Sequence, residues 1–162
     1  MFKKRLETFF LAVIVIALGL LAKSYYDSYS FKNNDIPESY KERIADKEQE
    51  VLRKMHQHYG YARKFPLIVT DKFKGRLYGL TAYTDGEIKV YLNKKVMRES
   101  IDYMVESVIA HEYAHALLFH QGHINAGDGH STLWQETCTN LGGKNCQQYV
   151  DSQEVIMSKL PF

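Results

Sequence analysis

The run His111-Glu112-Tyr113-Ala114-His115 sets two imidazoles four residues apart with a carboxylate beside the first. On a helix that spacing brings both rings to one side, one turn apart, so they can converge on a single cation. Imidazole nitrogen suits zinc, and a glutamate flanking the ion is placed to act as general base on a water. Met104, Val108, His111, His115 and Leu118 follow one another at spacings of three and four. Both histidines therefore lie on an otherwise apolar stripe, where they need a partner, and a zinc ion is one.

Catalytic zinc takes three protein ligands and keeps a position open, so a third ligand is expected downstream. His120 and His123 fall near the end of the same helix and are expected to face solvent. A third histidine six residues after the second is excluded, because Gln121 occupies that place and Leu118 stands where the longer motif has glycine. His130 follows the glycine-bearing segment 125–129, which can turn the chain back, and is favoured, with the carboxylate of Glu136 as the alternative. Tyr113 and Tyr83 could serve a developing oxyanion, but are read as packing and surface tyrosines.

The elements that must position these residues give a mixed α+β domain. Asp35, with Pro37 and Glu38 behind it, resembles a helix start, and Ile44, Val51, Leu52, Met55 and Tyr59 form an apolar stripe up to Gly60. Three strands are expected over 65–70, 75–84 and 87–93, the last two joined by Asp85-Gly86, whose residue types suit the positive φ of a two-residue hairpin turn. Ser100 is expected to cap the histidine-bearing helix, which runs to about Gln121 ahead of Gly122. A further helix covers 131–141 and stops at Gly142-Gly143. A last one, from about Gln147 to Lys159, carries no evident chemistry.

The chain has 162 residues, 45% apolar and 25% charged, enough for one folded domain. Its 21 basic and 19 acidic residues are well mixed, so no nucleic-acid footprint stands out. Lys3, Lys4 and Arg5 precede an apolar run from Phe9 to Ala22, which marks a membrane-targeting segment. A permanent anchor is favoured over a signal peptide cleaved near Ala22-Lys23-Ser24. Basic residues stay on the cytoplasmic side, which puts the rest of the chain outside; after cleavage it would be secreted or periplasmic. Cys138 and Cys146 can then close a small loop as a disulfide, with two buried thiols as the alternative. The resulting division is 1–24 anchor or signal peptide, 25–34 linker and 35–162 folded domain.

The sequence resembles the SprT-like zinc metallopeptidases. H-E-Y-A-H-A at 111–116, G-H-S-T-L-W at 129–134 and Leu141-Gly142 occur in that family's order, and G-R-L-Y-G-L-T-A-Y with V-Y-L-N upstream is also similar. The resemblance implies a small zincin-like fold, with a short three-stranded sheet, an active-site helix and a ligand-bearing helix. It implies His111, His115 and His130 as zinc ligands, Glu112 as catalytic acid/base, and hydrolysis of a protein or peptide substrate. The four-cysteine zinc ribbon of some members is absent, and the role of others on DNA-crosslinked proteins is not carried over. Two other readings are a membrane-anchored binding module merely stapled by zinc, and a zinc hydrolase acting on cell-wall amides.

Overall fold

A helix already nucleated by apolar residues propagates at little cost until a breaker stops it, and no glycine or proline follows Gly19 until Pro37. Helix α1 accordingly runs from Phe2 to Asn33. The expected linker at 25–34 is therefore helical through Asn33. Its polar side chains bond back one turn along the helix, Ser28 Oγ to the Ser24 carbonyl at 2.7 Å and Asn33 Nδ2 to the Tyr29 carbonyl at 2.8 Å. This long helix is apolar enough to cross a membrane or to serve as a signal sequence.

The computed structural model describes residues 2–61, 63–73, 77–123 and 129–147. The start of the second expected strand at Gly75, the turn at 125–128 and the last expected helix beyond Gln147 lie outside these. Two units separate by their internal packing, 1–37 and 38–162.

In the second unit α2 (Glu38–Tyr59) starts two residues later than an Asp35 cap would set it, since a residue preceding proline, here Ile36, is biased away from helix. Ile44, Val51 and Met55 are buried as the stripe predicts, and Glu48 is buried with them. Strands β1 (Leu67–Thr70), β2 (Gly79–Thr84) and β3 (Glu87–Asn93) form one sheet in the order β1-β3-β2. β1 runs parallel to β3, while β2 pairs antiparallel with it from Gly79↔Leu92 to Thr84↔Glu87. Asp85 and Gly86 take φ of 57° and 78°, the positive values the hairpin turn requires.

Asn93 then caps a short helix, α3 (Lys94–Glu99), its side chain accepting from the Lys95 amide. Ser100 caps the next helical stretch through the Tyr103 amide, as expected. That stretch is α4 (Ile101–Tyr103), then a π-helical segment over Met104–Val108, then α5 (Ile109–His120). Gly122 leaves it with φ 80°. Ser131 caps α6 (Thr132–Asn140) by accepting from the Trp134 amide, and Gly142 ends it with φ 86°. α5 packs against α2, α6 and the sheet, with Ile109, Tyr113, Leu117, Met55, Val90, Leu92 and Trp134 in the shared core. Cys138 and Cys146 are joined by a disulfide.

Candidate metal centre

His111 and His115 project from α5 one turn apart, and His130 arrives from the residue just ahead of the Ser131 cap of α6. The Nε2 atom of His130 lies 3.2 Å from Nε2 of His111 and 3.3 Å from Nε2 of His115. Two ligand nitrogens about 2.05 Å from a tetrahedral ion stand about 3.3 Å apart, so this spacing fits a zinc ion bound by three imidazoles. The triad can hold a metal ion, and no fourth histidine, cysteine or carboxylate joins it among the described residues. His120, His123 and Glu136 are all exposed, and none belongs to the group.

Metal binding requires neutral imidazoles with free lone pairs, and the surroundings supply that state. Burial first, then the neighbouring histidines, pushes His111 down to about 3. Burial and His130 push His115 down to about 4, and burial lowers His130. Behind the triad stands Trp134, its ring 4.6, 5.1 and 4.4 Å from the rings of His111, His115 and His130. The indole is only 2% exposed and packs against all three imidazole rings. Its Nε1 has no hydrogen-bond partner among the described residues.

Glu112 points to the sheet. The Thr81 hydroxyl on β2 lies 2.8 Å from both its carbonyl oxygen and Oε2. Burial pushes the carboxyl up to about 7, against the lowering effect of the Thr81 hydroxyl. One hydroxyl proton serves two oxygens here, and the carbonyl can only accept. A protonated carboxyl resolves this by donating to Thr81 while Thr81 donates to the carbonyl; a carboxylate must share the single proton.

Tyr113 has the packing role expected of it. It is fully buried, with its hydroxyl 2.5 Å from Glu48 Oε1 and 3.3 Å from the Phe65 carbonyl. Lys64 closes the pair on the other side, 2.5 Å from Glu48 Oε2. The phenol is raised by burial and by Glu48, which suits a donor that stays protonated. Tyr83 is surface-facing, 69% exposed. Gly79 and Thr81 touch Glu112, Trp134 touches the three histidines, and Glu48 holds Tyr113 on the same helix, and none of the four carries a metal-site pattern in the sequence. For Trp134 a signal existed, since it falls within the quoted 129–134 motif; the other three are revealed only by tertiary placement.

The chain belongs to the SprT-like family, whose profile matches residues 48–154, a span holding all three histidines and Glu112. Comparison with curated proteins and with solved structures gives no match.

Proposed function

We infer that this protein is a zinc-dependent metallopeptidase, held in a membrane by α1 with residues 38–162 outside the cytoplasm. The observation carrying this is the convergence of the His111, His115 and His130 Nε2 atoms next to a buried glutamate on the same helix. Zinc held by those three nitrogens supplies a lowered water pKa and polarisation of the scissile carbonyl. Glu112 accepts the proton of the attacking water and returns it to the leaving nitrogen, a role its place beside His111 on α5 allows. Trp134 packs against the imidazole rings and holds them in place. β2 is an edge strand, so an extended substrate can add to it through backbone hydrogen bonds.

The outward placement draws on two features. The apolar residues of α1 are exposed along its length, behind Lys3, Lys4 and Arg5. A disulfide at Cys138–Cys146 is the state of an oxidising compartment.

The test is elemental analysis and casein hydrolysis on the full chain in detergent. One zinc per chain, lost in His130→Ala and kept in Glu136→Ala, is expected. Glu112→Gln is expected to retain zinc and lose turnover. Zinc-free wild type, prepared without chelators, would overturn the reading; cleavage of cell-wall fragments with no cleavage of casein or peptides would move it to another amide.

A further inference from the structure

The HEYAH pattern says nothing about what holds the Glu112 side chain, yet the fold grips it from the sheet. Thr81 Oγ1 reaches Oε2 and the Glu112 carbonyl, each at 2.8 Å. Two residues earlier Gly79 leaves a hollow: a β-carbon there would stand 2.6 Å from Oε1, 2.7 Å from Cγ and 2.9 Å from Cδ of Glu112. Alternation along a strand puts residues 79 and 81 on one face, so a single face of β2 supplies both the hollow and the hydroxyl. Register with β3, Gly79↔Leu92 and Thr81↔Val90, puts both positions beside buried Leu92 and Val90 on the same face of the sheet.

We propose that Thr81 is a positioning residue for the acid/base, its hydroxyl and the space left by Gly79 fixing the Glu112 carboxyl in one rotamer. The proposal rests on the peptidase reading for Glu112's role. A glutamate has three side-chain torsions, and an unanchored carboxyl spends much of its time away from the geometry of proton transfer. Anchoring Oε2 from β2 removes that freedom. The strand that can receive an extended substrate then also sets where the proton is taken and returned.

The test uses the full zinc-loaded chain in detergent. Thr81→Val is expected to lower kcat about 10- to 100-fold with KM within about twofold, and Thr81→Ser, which keeps the hydroxyl, to stay within about threefold of wild type. Gly79→Ala is expected to lower kcat at least as far as Thr81→Val, with zinc still bound, because its methyl displaces the carboxyl rather than the histidines. A second measurement needs neither metal nor turnover. In metal-free protein, Thr81→Val should lower the melting temperature by several degrees when Glu112 is present and by clearly less in a Glu112→Ala background. Wild-type kcat in Thr81→Val, equal losses in the serine and valine variants, or equal melting shifts in both backgrounds would each overturn the proposal. Failure of wild type to cleave any peptide would instead sink the peptidase reading, and the melting cycle would still decide whether Thr81 holds Glu112.

Discussion

Helices α1 and α5 are both rich in apolar residues and treat them in opposite ways. In α5, Ile109, Ala110, Ala114 and Leu117 are fully buried, and the histidines of the stripe belong to the group that could hold a metal ion. In α1, Leu11 and Leu21 are each 66% exposed, and neighbouring apolar residues are similar. The apolar run of α1 is long enough to cross a membrane or to serve as a signal sequence. Apolar content thus separates the two helices poorly, whereas the few polar residues within each separate them well. The HEYAH residues set α5 apart as the helix of the candidate metal centre; Lys3, Lys4 and Arg5 stand ahead of the apolar run of α1.

The largest effect that tests this contrast is in α5. His111→Ala should cut peptide hydrolysis at least about a thousandfold, several kcal/mol of barrier, with loss of zinc by elemental analysis. Retained zinc and turnover would remove α5 from the chemistry. Next comes α1, where Ile14→Lys puts a charge in the apolar run. It should impair membrane integration by about 3 kcal/mol, shifting the chain to the soluble fraction, and leave the melting temperature of 38–162 unchanged. A lowered melting temperature would mean that α1 owes its place to the domain, as α5 does.

Tyr113→Phe sharpens the comparison from the buried side, because it strips Glu48 of a partner in the core. A loss of about 1.5–3 kcal/mol is expected, or roughly 5 °C by thermal unfolding, with zinc content unchanged. A shift under about 1 °C would show that the pair is solvated.

The smallest effect is a pH slope. His111 and His115 titrate at about 3 and 4 in the fold, below their ordinary 6.5. The unfolded chain therefore binds more protons between about pH 4 and 6.5, and metal-free protein loses stability as pH falls through that window. Glu112 acts in the opposite sense: raised from 4.5 to about 7, it favours the fold at low pH and loses that contribution as pH rises between the two values. Glu112→Gln removes the opposing slope, so its stability should climb more steeply than wild type from pH 4.5 to 6.5 in denaturant titrations. Parallel curves would mean a Glu112 as solvated as the residues of α1.

What the sequence disclosed and what it hid follow from range. The helical i, i+4 spacing of His111 and His115, the Asp85-Gly86 turn, and the Ser100 and Ser131 caps are local patterns, and each is where it was expected. His130 could be favoured from the glycine-bearing sequence before it. The parallel pairing of β1 with β3, the hold of Thr81 on Glu112 and the burial of Glu48 against Tyr113 join residues at least 23 positions apart, and no local pattern encodes them. Residues 25–33 are helical although their tyrosines and serines lack a helical period, because propagation needs only the absence of a breaker. The π-helical turn at Met104–Val108 was invisible for a related reason: its residues are ordinary helix formers.

The hairpin also carries a consequence for the order in which the molecule assembles. β2 and β3 pair over separations of 3 to 13 residues, from Thr84↔Glu87 to Gly79↔Leu92, and hairpins of that reach close in about 1–10 μs. Glu112 lies 31 residues from Thr81, and His130 lies 19 from His111, so their contacts wait on longer loop closures. Pairing of β2 with β3 is therefore expected to precede the Thr81–Glu112 contact and the closing of the histidine triad. Folding kinetics should give a φ-value near zero for Thr81→Val, whose contact with Glu112 forms late, and a higher one for a truncation within the β2–β3 pairing.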